Sequence, residues 1–204
     1  MARIAGSNGP RTAALIREVG LSLIHEHGFE AMSLRDLAAE VGIQPASLYN
    51  HIASKQDLLF GLVREHMEAL LASTEAALGT APPGPLAQLR AFVAHHLLYH
   101  MDKKREVYVA NFELRALEPR NRDAVLALRR RYEGCLIALL DQGVAAGTLS
   151  IPDTRIGAYA MLAMLTGVCT WYRPDGRLSP EEVVRLHTDL VLRGCQTAAV
   201  AVPA

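Results

Sequence analysis

The chain has 204 residues, half of them hydrophobic, and its 21 lysines and arginines balance 21 aspartates and glutamates. This length suits one small and one larger domain with a sizeable core, and formal neutrality argues against a protein that coats polyanions generally. The first residues lack the apolar stretch of a secretory signal, and the longest candidate for a membrane span, residues 158–169, is too short. We therefore expect a cytoplasmic protein with no membrane partner.

The cysteines give no sign of a disulfide or zinc framework. Cys135, Cys169 and Cys195 are odd in number and widely spaced, which fits neither arrangement. We expect buried, reduced thiols, with redox sensing as the alternative.

Residues 33–55, SLRDLAAEVGIQPASLYNHIASK, carry the most informative pattern of the chain. Ser33 and Asp36 form a capping box, so a helix is expected to begin at Ser33. Gly42 is expected to end this helix, because glycine tolerates the left-handed conformation of a helix C-terminus. The apolar stripe between them consists of Leu34, Leu37, Ala38 and Val41.

A second, very short helix is expected to start at Pro45, where no N–H group is needed. Leu48 and Ile52 are four residues apart and face inward. The side chains that this turns outward are Ala46, Ser47, Tyr49 and Asn50. Ser54 and Asp57 form another capping box, which opens a third helix. Together these elements predict a helix-turn-helix.

The rest of the chain is expected to be helical as well. The third helix runs to about residue 78 and stops at residues 79–85, GTAPPGP, the clearest breaker in the sequence. Further helices are predicted at 86–101, 104 to about 117, 119–147, 154 to about 172, and 179–194. No segment reads as a strand, so the predicted fold class is all-α with about nine helices.

The segment GIQPASLYNHIASKQDLL, residues 42–59, resembles the end of the DNA-binding domain of TetR-family repressors. The matching residues are Gly42, Leu48, Tyr49, His51, Ser54, Lys55 and Leu58, and Ile52 stands where the family usually has phenylalanine. The resemblance implies an N-terminal three-helix helix-turn-helix DNA-binding domain, residues 1–53. It also implies a C-terminal helical ligand-binding and dimerisation domain, residues 54–204, and a transcriptional repressor with no enzymatic activity.

In the family, the short helix after the turn reads the major groove of operator DNA. By their hydrogen-bonding and apolar chemistry, the candidates for base contacts are Gln44, Ala46, Ser47 and Asn50. The residues expected to hold the DNA backbone are Ser33, Arg35, Tyr49, His51 and Lys55. For Tyr49 and Lys55 the phosphate contact is what the resemblance implies.

The charge of the first 60 residues argues against DNA binding, because this segment contains five cations and six acids. Phosphate contacts dominate affinity for DNA, so the protein must place its few cations well or bind modestly. Arg3 and Arg11 belong either to an arm that lies against the duplex or to a disordered tail. An interaction protein that has kept the fold but lost DNA binding is therefore one alternative, and a helical hairpin of an ordinary enzyme is another.

The last two helices, residues 154–172 and 179–194, combine small and apolar side chains. These residues are Gly157, Ala158, Ala160, Ala163 and Gly167, with Leu162, Leu165, Val184, Leu190 and Val191. In TetR-like proteins these helices form the dimerisation bundle, so the resemblance implies a homodimer and a palindromic operator. The alternative is that they are intramolecular core.

By resemblance, the ligand pocket lies among residues 86–172. The candidate ligand-binding residues are His96, Tyr99, His100, Tyr108, Asn111, Phe112, Arg115 and Trp171. The stretches ELRALEPRNRDAVLALRRRYE and TWYRPDGRLSPEEV resemble TetR regulators of acyl-CoA, steroid or fatty-acid breakdown, which implies a small hydrophobic or acyl-CoA-like effector. Residues 156–171 contain no cation for a CoA phosphate, so Arg115 or Arg131 would supply it. Alternatively, Arg129, Arg130 and Arg131 form a solvated face.

His96 and His100 suggest a further alternative, because a spacing of four places both imidazoles on one helical face. Together they would hold a divalent metal if a third ligand came from a neighbouring helix. The same histidines would serve as general base if the protein were a helical enzyme. Against an enzyme, the sequence has no nucleophile elbow, phosphate loop or complete metal motif.

Overall fold

A computed structural model describes residues 9–195, and every regular element in that range is helical. The helices are α1 Gly9–His27, α2 Leu34–Val41, α3 Pro45–Leu48, α4 Lys55–Thr80, α5 Pro85–Asp102, α6 Lys104–Phe112, a 3-10 turn Leu114–Ala116, α7 Pro119–Ala145, α8 Thr154–Thr166, α9 Val168–Trp171 and α10 Pro180–Cys195. The predicted all-α class is confirmed. None of these helices is both long enough and apolar enough to cross a membrane.

The chain divides into two compact units. Among the described residues, the first contains residues 9–68 together with Arg105–Ala127, and the second contains Ala69–Lys104 and residues 128–195. The first unit thus joins the helix-turn-helix to a segment that is distant in sequence. Because α4 contributes to both units, the functional boundary after residue 53 remains a prediction.

The helix-turn-helix forms as its local signals predict. The Asp36 N–H donates a hydrogen bond to Ser33 Oγ (3.1 Å), and the Ser33 hydroxyl donates to Asp36 Oδ2 (2.6 Å). Gly42 ends α2 with a φ of 75°, a left-handed conformation that a residue with a side chain rarely adopts. Pro45 is the first residue of α3. The Ser33 bonds therefore fix the start of α2, and Gly42 and Pro45 fix the turn between α2 and α3.

The core of the first unit is built by α1 to α4. Its fully buried side chains include Ile16, Ile24, Leu37, Leu48 and Leu59. Helices α1 and α4 pack tightly at Gly20, where a Cβ atom would lie 2.8 Å from Leu58 Cδ2. Burying each of these side chains contributes about 1.5–3 kcal/mol, so α3 is held by Leu48 on its inner face.

In the second unit, α5 packs against α8, α9 and α10. The fully buried side chains of this unit include Leu89, Phe92, Leu97, Leu136, Leu140 and Leu165. Leu165, and Val191 with 3% exposure, therefore belong to the core. They had been expected to supply apolar area for a dimer, and the prediction was wrong for these two because their side chains turn inward.

Two predicted helices end earlier than expected. Helix α6 stops at Phe112, a 3-10 turn follows at Leu114–Ala116, and Leu117 is extended (ψ 139°). The predicted helix 154–172 is interrupted at Gly167, where the Thr170 N–H and hydroxyl both donate to the Gly167 carbonyl. This tighter turn separates α8 from α9.

Candidate DNA-binding face, histidine cluster and apolar face

The outer face of α3 and the residues that follow it is exposed as predicted. Leu48 and Ile52 are buried, whereas Tyr49 is 59% exposed. The other predicted contact residues on this stretch, Gln44, Ala46, Ser47, Asn50 and His51, are exposed or partly exposed. The structure therefore presents hydroxyl, amide and aromatic groups together on one short surface, which suits the reading of base edges. Their contacts with DNA remain a prediction.

Lys55 makes contacts that sequence reasoning missed. Its ammonium donates to the Glu30 carbonyl oxygen (3.1 Å) and lies 4.3 Å from the centroid of the Phe29 ring. The side chain thus ties the start of α4 to the turn after α1. An ammonium has three N–H donors, so two remain available for a phosphate. No local spacing rule connects residues 29–30 with residue 55, so this bond has no signal in the sequence.

The acids of the first 60 residues lie outside α3. Residues 43–54 contain no aspartate or glutamate. Glu18, Glu26 and Glu40 instead border a hollow of about 370 Å³ formed by α1 and α2. Arg35 is exposed and Ser33 partly exposed at the start of α2. Arg11 is exposed on α1, whereas Arg3 lies outside the described residues.

A buried polar cluster, here called the histidine cluster, consists of His96, His100, Tyr132 and Thr166. His96 Nδ1 lies 2.8 Å from the Tyr132 hydroxyl, and His96 Nε2 lies 3.2 Å from Thr166 Oγ1. The two imidazole rings stack with centroids 3.7 Å apart, and His100 Nδ1 donates to the His96 carbonyl oxygen (2.7 Å). The cluster joins α5, α7 and α8.

Two members of the histidine cluster, His96 and Tyr132, are held neutral. Burial, followed by the nearby His100 and His95, lowers the pKa of His96 well below its ordinary value. Burial also raises the pKa of the Tyr132 hydroxyl. The groups therefore offer uncharged donors and acceptors inside an apolar surround that includes Phe92, whose ring lies 5.5 Å from that of Tyr132.

The geometry does not support a metal site at His96 and His100. Among the described residues, no three histidine, cysteine or carboxylate side chains lie close enough together to hold an ion. Both ring nitrogens of His96 already face Tyr132 and Thr166. The spacing of four does place the two imidazoles on one helical face, but the rings stack instead of converging on a point.

The other predicted ligand-binding residues are distributed over both units. In the second unit, the Tyr99 ring lies 5.8 Å from that of His95, and Trp171, 50% exposed, stacks on His187. In the first unit, the Tyr108 ring contacts His25 edge-on. The remaining three candidates also belong to the first unit: Asn111 donates to the Val107 carbonyl, Phe112 packs on Tyr108, and Arg115 is exposed. Whether any of them contacts an effector is still a prediction.

The arginine run of α7 differs from the expected solvated face at one position. Arg130 and Arg131 are exposed, but Arg129 is only partly exposed. Burial lowers the pKa of its guanidinium, and Glu133 partly offsets this effect. Sequence reasoning missed this distinction because all three residues look alike in the sequence.

Helices α8 and α10 each expose large apolar side chains, here called the apolar face. Ile156 and Tyr159 on α8 are 63% and 46% exposed, and Leu186 and Leu190 on α10 are 44% and 59% exposed. Beside Leu190 lies a hollow of about 280 Å³, lined in part by Gly157 and Met164. Contiguous exposed apolar patches are rare on monomeric proteins, so the apolar side chains around this hollow are candidates for an interface.

Comparison with known families identifies the chain. The family model described as "Bacterial regulatory proteins, tetR family" matches residues 16–62. The family model described as "Tetracyclin repressor-like, C-terminal domain" matches residues 82–195, more than half of the chain. The chain belongs to the TetR family. The resemblance inferred from residues 42–59 is confirmed.

Several relatives of this TetR-family protein are similar over nearly their whole length. The HTH-type transcriptional repressor KstR2 of Mycobacterium tuberculosis is 27% identical over 197 residues, 95% of this chain and 97% of the relative. The TetR-family regulator PfmR from Thermus thermophilus has a TM-score of 0.79 at 35% identity, covering 87% of this chain and 97% of that one. AibR, crystallised with isovaleryl coenzyme A and operator DNA, has a TM-score of 0.81 at 26% identity, covering 88% and 97%.

The family and its relatives define the general activity. This TetR-family protein is a DNA-binding transcriptional repressor with a helix-turn-helix, and it is not an enzyme. Its exposed α3 face lies within the part of the chain that the family description matches.

Replacing Lys55 by alanine tests the phosphate contact in this repressor. We expect weaker binding to all DNA sequences, and a plot of log affinity against log salt that is flatter by about 0.9 for each Lys55 on a phosphate. The measurement is fluorescence anisotropy over a salt series. Arg64→Ala removes the same charge from an exposed site further along α4 and should keep the wild-type slope. An unchanged slope in Lys55→Ala would leave Lys55 only its contacts with Glu30 and Phe29.

Proposed function

We propose that this repressor is a cytoplasmic homodimer that binds palindromic operator DNA and is released by a small hydrophobic or acyl-CoA-like effector. In this proposal residues 1–53 bind DNA, and residues 54–204 bind the effector and the second subunit. The observation that carries it is the α3 face, where Leu48 holds the helix in the core while Tyr49 and Asn50 stand exposed.

The apolar face of α8 and α10 supports the homodimer. Ile156, Tyr159, Leu186 and Leu190 would be covered if the same face of a second copy packed against them, as a two-fold axis requires. The adjacent hollow would accept a side chain of the partner. Two recognition helices related by such an axis would meet half-sites about 34 Å apart, one turn of DNA, which is why the operator should be a palindrome.

The chemistry of the second unit supports an effector that is largely apolar. The histidine cluster contributes hydrogen-bonding groups that are neutral, next to apolar side chains such as Phe92. AibR, 26% identical, was crystallised with isovaleryl coenzyme A. We propose that residues of the cluster, with Tyr99 and Trp171, contact such a molecule. To release DNA it must bind the DNA-free form more tightly, because equal affinity for both forms shifts nothing.

Selection from a randomised duplex library tests the DNA-binding part. The purified protein should enrich one palindrome at low salt, and Asn50→Ala should enrich a different sequence, since asparagine pairs with base edges. Gln142→Ala, an exposed change on α7, should enrich the wild-type palindrome. Failure to enrich any sequence would reject operator binding.

Native mass spectrometry of gently purified protein tests the effector and the subunit count. The expected spectrum shows a dimer that carries an acyl-CoA or lipid-like mass, and that mass should disappear after denaturation. A dimer that carries only a divalent metal, lost in His96→Ala with His100→Ala, would overturn the proposed effector class.

A further inference from the structure

A stretch of the C-terminal half of the chain is built into the DNA-binding unit. Residues 105–118 lie within the match to the C-terminal TetR domain (82–195), yet they belong to the compact unit of the helix-turn-helix. Gln56 holds this stretch with both ends of its side-chain amide. Its Nε2 donates to the Ala116 carbonyl oxygen (2.6 Å), and its Oε1 accepts from the Glu118 N–H (3.1 Å). Because a donor and an acceptor are both matched, only one amide orientation fits.

Further contacts hold residues 105–118 to the unit that contains the helix-turn-helix. Leu117, between the two residues that Gln56 binds, is 3% exposed. Arg105 donates to the Ser22 hydroxyl on α1 (2.6 Å), and the Tyr108 ring lies 5.0 Å from His25 on α1. Residues 105–118 are thus fixed at both ends and along α6.

Gln56 stands where this stretch meets the start of α4. Its neighbour Lys55 binds the Glu30 carbonyl, and its neighbour Asp57 accepts from the Ala53 N–H (3.2 Å). The first turn of α4 therefore bonds the helix-turn-helix through residues 55 and 57, and residues 116–118 through residue 56. A shift of residues 116–118 would act on the same turn that closes the DNA-binding helices.

We propose that Gln56 is a positioning residue for operator binding and that it couples the conformation of residues 105–118 to that of the DNA-binding helices. This inference deepens the proposed function and rests on it. Coupling between two sites is reciprocal, so operator bound at α3 must slow backbone exchange in residues 105–118, none of which is a predicted DNA contact.

Hydrogen exchange of the full chain, with and without saturating selected operator, tests the coupling. In the wild type, operator should slow exchange in residues 33–52 and in residues 105–118. In Gln56→Ala, the protection of 33–52 should remain, that of 105–118 should be lost, and operator affinity should fall on the order of tenfold. Gln56→Glu should behave similarly, because its carboxylate would face the Ala116 carbonyl oxygen. The control Gln142→Glu makes the same change at an exposed site on α7 and should match the wild type.

Operator-induced protection of 105–118 that survives in Gln56→Ala, or that is missing in the wild type, would overturn the inference. If Gln56 had a purely structural role, Gln56→Ala would lower stability but would not selectively remove the operator-induced protection of residues 105–118. If the library selection yields no operator, the proposed function fails independently of this inference. Exchange in the wild type and in Gln56→Ala, compared without DNA, then tests the coupling. Gln56→Ala must then speed exchange in 33–52 and 105–118 together, with 85–102 unchanged, and a change confined to one of the two would refute the coupling.

Discussion

Replacing Leu190 by aspartate should convert the repressor into a folded monomer that binds its operator about 10²- to 10⁴-fold more weakly. Leu190 is 59% exposed on α10, so the fold of one subunit tolerates the carboxylate. In the proposed dimer the same carboxylate would be buried in an apolar interface without a partner, which is strongly unfavourable. A monomer reaches one half-site only, and the lost second contact accounts for the fall in affinity.

Analytical ultracentrifugation and anisotropy on the selected operator measure the two effects. Ile156→Asp should act like Leu190→Asp. The matched control is Leu98→Asp, because Leu98 is 47% exposed on α5; it should remain dimeric and keep its affinity. A Leu190→Asp protein that sediments as a dimer would show that the subunits do not meet through this face.

Acid should destabilise the protein below about pH 6.5, chiefly through His96. Burial, His100 and His95 hold the pKa of His96 well below the ordinary histidine value of 6.5. In the unfolded chain the imidazole gains a proton near that ordinary value, whereas in the folded chain it stays neutral to a lower pH. Stability is therefore fully present above the unfolded pKa and is lost as the pH falls towards the folded pKa. Where the unfolded chain binds one more proton than the folded chain, the free energy of unfolding decreases by about 1.4 kcal/mol for each pH unit that the pH falls.

Urea unfolding between about pH 5.5 and pH 7.5 measures this slope. His96→Gln does not titrate but keeps a donor and an acceptor for Tyr132 and Thr166, so its slope should fall by about one proton. Burial also lowers the pKa of His95, and part of the slope should remain. His27→Gln, an exposed change on α1, should retain the wild-type slope. Equal slopes for His96→Gln and wild type would assign the acid sensitivity to other groups.

Particular residues show how far the sequence reached into the candidate sites. The outward face of α3 follows from the spacing of Leu48 and Ile52 alone, and the structure has it as predicted. The pair His96 and His100 was also placed on one helical face from its spacing. Whether the pair would bind a metal, line a pocket or stack depended on Tyr132 and Thr166, which other helices supply.

The sequence by itself determined the helical class, the helix-turn-helix and the family. Ser33, Gly42 and Pro45 act through hydrogen bonds and backbone angles within three or four residues, so their effects can be read locally. Only the tertiary structure decided the bonds of Lys55 to Glu30 and of Gln56 to residues 116–118, the partial burial of Arg129 and the inward turn of Leu165. These features depend on which helix faces meet, and helical periodicity gives a residue's face but not its neighbour on another helix.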